Sequence, residues 1–376
     1  MKAVILSCNT GGGHNAAAKA LCEALTQSGH DAQVLDYLVL AGERVSKTVG
    51  DSYVELVKHT PKAFGAVYDL GMAVSTRVKR SPIYYINAAM AAPLRRWLTE
   101  HPVDVILMTH LYAAETLTWM KRHGEALPVT IPVATDYTCI PFWEETECTA
   151  TIIPHETLLP LFAARGMKTD TLHPLGIPVS PAYLQALPKE AAREALGLPQ
   201  KAKIYLIVGG SMGAGDLGRL TSALARMTGP DCLLYVVCGS NEDKMRRLAA
   251  RFRHDERVLI HGQTNVMRQL LAACDIVYTK PGGLTSTEAV AARIPLVHTE
   301  PIPGCETENR SFFLAHGLSV SGRTTVAQAR AGVALLQDPT ALAAMRQAQA
   351  SFLHVDAAFR IVRLAERLVE QAEQKG

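Results

Sequence analysis

The residues best suited to chemistry in this chain lie where short apolar runs end in glycine. Tyr278-Thr-Lys-Pro-Gly-Gly-Leu-Thr-Ser-Thr-Glu-Ala289 reads as a strand that breaks at a Gly-Gly turn and starts a helix. The amides and positive dipole end of a helix start favour a diphosphate, and Gly282 and Gly283 let the backbone approach it closely. Glu288 falls further along the same helix, where a carboxylate can accept hydrogen bonds from two hydroxyls of a ribose. The same spacing also fits a plain strand–helix turn with a solvated glutamate. Near the other end, Ser7-Cys-Asn-Thr-Gly-Gly-Gly-His14 sets a histidine after three glycines, at the expected first turn of a helix. A helix start disfavours imidazolium, so His14 is a candidate general base or, on the same pattern, a capping or buried histidine. Asp136 follows the apolar run Val129–Ala134. Open α/β sheets place ligand-binding groups at that end of a strand, so Asp136 could orient His14, position an acceptor or cap a turn. The chain contains no Asp-x-Asp, so a divalent metal held in that way is not expected, and helix amides must stabilise a departing diphosphate.

These groups need a scaffold of strands feeding helices. The runs Ala3–Ser7, Val103–Thr109, Val129–Ala134, Thr151–Ile153, Ile204–Val208, Leu233–Val237, Val258–Ile260, Ile276–Tyr278 and Leu296–His298 alternate with helical patterns, which is the signature of parallel sheet built from βαβ units. The pattern begins twice, because Ile204–Val208 enters Gly209-Gly-Ser-Met-Gly-Ala-Gly215 as Ala3–Ser7 enters Thr10-Gly-Gly-Gly-His14. The fold class expected is therefore α/β with two doubly wound domains. Prolines at 174, 178, 181, 188 and 199 mark the boundary, giving residues 1–176 and 177–349, followed by a last helical stretch from about Leu342 to Glu373. The segment Gly213-Ala-Gly-Asp-Leu-Gly218 fits the dinucleotide fingerprint. The next strand, however, runs into Cys238-Gly-Ser240 and not into a ribose-binding carboxylate, so an NAD-dependent oxidoreductase ranks low.

With 376 residues, 48% of them apolar, the chain can bury two cores. Its eight cysteines are scattered without a C-x-x-C pair, so neither a zinc site nor a disulfide framework is indicated and a cytoplasmic location fits. No signal peptide is read at residues 1–8, and no run approaches the roughly 18–20 apolar residues of a membrane span. A formal charge of +3 is too small to suggest nucleic acid, but the segment from Arg44 to Leu98 alone carries +6. Cations beside Tyr53, Phe64, Tyr68, Met72, Tyr84, Tyr85, Met90 and Trp97 fit docking on an anionic leaflet, or ordinary solvated helices. Lys79, Arg80, Arg95 and Arg96 are the expected lipid-facing residues.

Lys280-Pro-Gly-Gly-Leu-Thr-Ser-Thr-Glu-Ala289 with Pro303-Gly-Cys-Glu-Thr-Glu-Asn309 resembles the donor site of the monogalactosyldiacylglycerol synthase and processive diacylglycerol glucosyltransferase family, a glycosyltransferase family 28-like group. It is more distantly similar to the N-acetylglucosaminyltransferase that makes the lipid-linked peptidoglycan precursor. The resemblance extends over almost the whole chain through Ser7–His14, Ala134-Thr-Asp-Tyr137 and Gly209-Gly-Ser-Met-Gly213. It implies a GT-B fold, two Rossmann-like domains facing across a cleft with a C-terminal helix at about 350–376 crossing back to the first. It also implies a UDP-sugar donor, a diacylglycerol-type acceptor, inversion, no further cofactor, and a peripheral protein on the cytoplasmic face of the membrane. Carried over by residue, Glu288 would hold the ribose. Gly282, Gly283 and Thr285 would hold the diphosphate, with Ser211 and Gly213 on the phosphate side of the opposite loop, and Lys280, Gly12 and Gly13 join the donor set. Cys305 stands where the family has Gln, whose amide donors Cys cannot replace, while Glu306 and Asn309 keep their places. The His that follows the family's Asp136 counterpart is Ile140 here. A transferase acting on a polyprenyl-linked precursor and a nucleotide-sugar binder without turnover are the alternatives.

Overall fold

The computed structural model describes residues 1–8, 11–44, 46, 48, 61–75, 80–352 and 354–374, with the side chains of 61–64 and 67 outside that description. Among these residues the chain divides into two compact units, Met1–Pro181 with Pro303–Cys305 and His354–Gly376, and Ala182–Ile302 with Glu306–Leu353.

In the first unit β1 (Lys2–Ser7), β2 (Asp31–Asp36), β3 (Val105–Met108) and β4 (Val129–Pro132) form a parallel sheet ordered β2-β1-β3-β4. β1, β3 and β4 are buried almost throughout, as parallel strands covered on both faces must be, so they read as continuous apolar runs. β2, Asp-Ala-Gln-Val-Leu-Asp, is an edge strand with no fully buried residue, and no such run announces it. The pair β5 (Thr151–Ile152) and β6 (Leu172–His173) is a short ladder joined to the end of β4 by the Val133–Ile152 bridge. Ala18, Leu21 and Leu25 of the Gly12–Gln27 helix share one buried cluster with Ile5, Leu107 and Ile131 of the sheet and with Ile361, Val362 and Ala365 of the Ala357–Glu373 helix.

The single helical stretch expected from Leu342 to Glu373 is two helices, Pro339–Phe352 in the second unit and Ala357–Glu373 in the first. Between them the Ala357 amide bonds the His354 carbonyl at 2.9 Å, and Asp356 takes Arg360 Nε at 2.8 Å. Apolar spacing continues through this turn, which is why periodicity alone joins the two.

In the second unit β7 (Lys203–Val208), β8 (Cys232–Val237), β9 (Val258–His261), β10 (Ile276–Thr279), β11 (Leu296–His298) and β12 (Val320–Ser321) form a parallel sheet ordered β12-β11-β10-β7-β8-β9. The chain builds outwards from β7 to β9, then returns to the centre and builds outwards again from β10. This is the doubly wound order, and its reversal lies between β7 and β10, where such sheets bind ligands. The first sheet reverses in the same way between β1 and β3.

Candidate functional site

In the second unit the last paired residues of β7 and β10 are Val208 and Thr279, so the loops that follow leave the sheet side by side. Gly210 has a φ of +68°, a left-handed backbone that favours glycine, and it lies against the Lys280 side chain. Gly282 is the N-cap of the Gly283–Ala291 helix, and no side chain caps its first turn. That helix start has the amides and the dipole sign that suit a phosphate. Thr285 is half-buried in the first turn. Glu288 is half-buried on the same helix, its carboxyl without a hydrogen-bond partner among the described residues, and burial raises that carboxyl to about 7.

Several residues expected to touch a donor face inward. Glu306 accepts from Lys280 Nζ through one oxygen and from the Ile302 amide at 2.9 Å through the other. Asn309 is fully buried and donates to the Pro281 carbonyl at 3.0 Å. Both therefore hold the Lys280–Gly283 turn in place. Gly213, expected beside the phosphate, is buried with φ +63°, and a Cβ there would lie 2.1 Å from the Cys238 carbonyl oxygen. Close packing against the Cys238–Asn241 loop after β8, together with the positive φ, is what requires glycine. Ser211 is exposed, and its carbonyl takes the Ser240 amide at 2.8 Å. Cys305 is half-exposed at the first position of the Cys305–Ala315 helix.

In the first unit Gly12 and Gly13 open the Gly12–Gln27 helix and His14 is its third residue. Thr109 leaves the end of β3, beside β1, and its carbonyl oxygen lies 2.7 Å from His14 Nδ1, with Thr135 Oγ1 at 3.2 Å from the same nitrogen. A carbonyl oxygen only accepts, so Nδ1 carries the proton and Nε2 holds the lone pair. Burial lowers the pKa of His14, opposed by the charge of Asp136 and by the bond to Thr109. The ring is thus a neutral imidazole at pH 7 with a basic nitrogen. Asp136 is half-buried just after β4 and acts on His14 through its charge.

The sequence reading missed His110. It is the N-cap of the Leu111–Arg122 helix, its Nδ1 takes the Tyr112 amide at 3.3 Å, and its ring meets that of His14 edge-on at 4.6 Å between centroids. Burial, then the charge of His14, holds its pKa well below the ordinary histidine value. The rule that singled out Asp136, a polar residue at the carboxyl end of a strand, applies equally to His110 after Val105–Met108.

Of the basic face, Lys79 lies outside the described residues, as do Lys47, Tyr53, Lys58 and Arg77 and the side chains of Lys62 and Phe64. Arg80 is exposed, with its guanidinium 5.4 Å from the centre of the Tyr84 ring, and Arg96 is exposed. Arg95, expected to face lipid, is exposed and is bonded by Glu125 through both Nε, at 2.8 Å, and Nη2. The carboxylate neutralises it in place. Large apolar side chains also reach solvent in this region, namely Leu70 at 64%, Tyr85 at 61% and Ile86 at 69% exposure. No helix among the described residues is long and apolar enough to cross a membrane.

An uncapped helix start suited to a diphosphate in one doubly wound unit, and an unprotonated imidazole nitrogen in the other, are what sugar transfer from a nucleotide donor requires. Fold and chemistry together define a GT-B glycosyltransferase. The calicheamicin glycosyltransferase has this fold, with a TM-score of 0.65 at 13% identity over 99% of both chains. Residues 14–179 match the monogalactosyldiacylglycerol (MGDG) synthase family and residues 188–351 match the glycosyl transferases group 1 family. A processive diacylglycerol beta-glucosyltransferase from Staphylococcus saprophyticus is 30% identical over 254 residues, which is 66% of this chain and 63% of that one. The chloroplastic monogalactosyldiacylglycerol synthase of Spinacia oleracea is 26% identical over 389 residues, 98% of this chain and 73% of that one. The two halves thus match two glycosyltransferase family models, and over most of its length the chain is similar to processive diacylglycerol glucosyltransferases and monogalactosyldiacylglycerol synthases.

Proposed function

We propose that this protein moves a hexose from a UDP-sugar to diacylglycerol, or to a glycosylated diacylglycerol, with inversion at the anomeric carbon. The observation that carries the reading is the bond from His14 Nδ1 to the Thr109 carbonyl, which leaves Nε2 as the base. Nε2 takes the proton of the acceptor hydroxyl as its oxygen attacks the anomeric carbon, and the bond from that carbon to the diphosphate breaks with its electron pair leaving on UDP. One displacement inverts the centre. Amides at the start of the Gly283–Ala291 helix, with Thr285 in its first turn, stabilise the departing charge. Glu288 takes the ribose hydroxyls. The reading requires no metal and no cofactor beyond the donor. The acceptor class is supported by the names of the relatives.

An acceptor anchored in a bilayer requires the enzyme to come to the surface, since each CH₂ drawn into water costs about 0.8 kcal/mol. Arg80 and Arg96, exposed in the same stretch of chain as Leu70, Tyr85 and Ile86, suit the anionic cytoplasmic leaflet, where each cation contributes about 1 kcal/mol. The test is incubation of purified protein with labelled UDP-glucose or UDP-galactose and vesicles containing diacylglycerol, with and without anionic lipid. Labelled glycolipid, formed faster on anionic vesicles and slowed by salt, is the expected result. Absence of product with either donor would overturn the transferase reading. Product only with polyprenyl-phosphate acceptors would move the acceptor class.

A further inference from the structure

The loop after β7, residues 209–216, is fastened to the stretch after β8 through its carbonyl oxygens. The Ser240 amide donates to the Ser211 carbonyl at 2.8 Å. Lys244, the third residue of the Glu242–Arg251 helix, reaches two more with its ammonium, donating to the Gly215 carbonyl at 2.9 Å and to that of Gly213. The lysine backbone is fixed in turn, because Asn241 caps this helix by accepting the Lys244 amide at 2.9 Å. In a trans peptide the N–H of one residue points opposite to the C=O of the residue before it. Carbonyls 211, 213 and 215 face residues 240–244, so the amides of Met212, Ala214 and Asp216 face away from them. Ala214 gives its hydrogen to the Gly209 carbonyl at 2.7 Å, while the amides of Met212 and Asp216 make no hydrogen bond among the described residues. The Asp216 carboxylate is drawn to the Leu217–Met227 helix that it caps, its Oδ1 accepting the Arg219 amide at 3.0 Å. Amides gathered on one side of a loop favour an anion there, and this loop leaves the sheet beside the turn that starts the Gly283–Ala291 helix.

We propose that Lys244 is a positioning residue for the donor, which holds the Gly213 and Gly215 carbonyls back and so keeps the amide side of the loop turned to the diphosphate. The proposal rests on the reading of a UDP-sugar donor and adds to it a residue from the helix after β8. A lysine suits the task because one compact charge carries three donors and can serve two carbonyls at once. Without it the two carbonyls lose their partner, the peptides at 213 and 215 are free to turn, and oxygens come to face the phosphates in place of amides.

Calorimetry of the full chain with UDP and with uridine, which lacks the diphosphate, tests it. Wild type should bind UDP more tightly than uridine. Lys244→Met keeps the length of the side chain and removes its charge. It should weaken UDP binding by about tenfold and leave uridine binding where it was, which also shows that the variant is folded. Lys244→Arg retains a cation with donors for both carbonyls and should restore most of the UDP affinity. Amide hydrogen exchange in the free protein separates positioning from direct contact with phosphate, since residues 209–216 should exchange faster in Lys244→Met than in wild type. Unchanged UDP affinity, an equal loss for UDP and uridine, or loop exchange that stays the same would overturn the role of Lys244 alone. If wild type itself binds UDP no more tightly than uridine, the diphosphate reading fails beneath it.

Discussion

A histidine serves as a base at neutral pH only while one ring nitrogen holds a lone pair and the other is pinned, and His14 meets both conditions through Thr109. Burial holds its pKa below the ordinary value of 6.5, so kcat/KM should rise with pH along a limb centred below 6.5 and then level off. His14→Ala should lower kcat by roughly 10²–10⁴-fold and abolish that limb, with donor affinity unchanged. His110→Asn keeps an oxygen able to take the Tyr112 amide while removing the ring packed on His14. Water then reaches His14 more easily, and the limb should move up towards 6.5. A limb that stays in place would leave His110 as a helix cap alone. At this scale the sequence reveals residue type and place along a strand, which is how His14, Asp136 and Glu288 stand out. It does not reveal which way a side chain turns. Glu306 and Asn309 sit in the stretch that resembles the family's donor motif, yet they bond Lys280, Ile302 and Pro281, and nothing in the sequence discloses that.

The Leu111–Arg122 helix carries a second consequence on its other side. Glu115 is fully buried there, bonded by Asn87 of the Pro82–Ala88 helix through one oxygen, while its other oxygen is unbonded. Burial raises its carboxyl from 4.5 to about 8, with Glu145 and Glu144 adding to the shift. Between those two values the folded chain holds a proton that the unfolded chain has released, so stability falls as pH rises across the interval. Glu115→Gln keeps the shape without the titration, and its melting temperature should fall less than that of wild type between pH 5 and pH 9. Equal declines would remove Glu115 from the account. None of this burial is visible in the sequence, where Glu115 is one acidic residue in an amphipathic run. The strands were far more legible, because β1, β3, β4, β7 and β8 are covered on both faces and must be apolar. β2 escaped because an edge strand can be polar, and the break at His354–Asp356 escaped because apolar periodicity runs across it.

Over the whole chain, the Ala357–Glu373 helix completes the core of a unit whose other strands lie before residue 181. Ile361 is fully buried in that core, so Ile361→Ala should cost about 2–5 kcal/mol. Two units need not unfold together, and the molecule offers a way to watch one of them. All three tryptophans, Trp97, Trp119 and Trp143, belong to the first unit. Tryptophan fluorescence in a urea titration should show the earlier transition in the variant, while a circular dichroism component insensitive to the substitution reports the second unit. A fluorescence midpoint that does not move would mean the helix contributes no stability. The same path of the chain sets an order of events at the ribosome. Domains ordinarily fold as they emerge, the N-terminal one first, but here the half made first must wait, unclosed, until the other half has been made, and only the helix that follows it seals the first. The half bearing the proposed base is thus the last to mature, and it is the half that a chaperone would have to guard for longest.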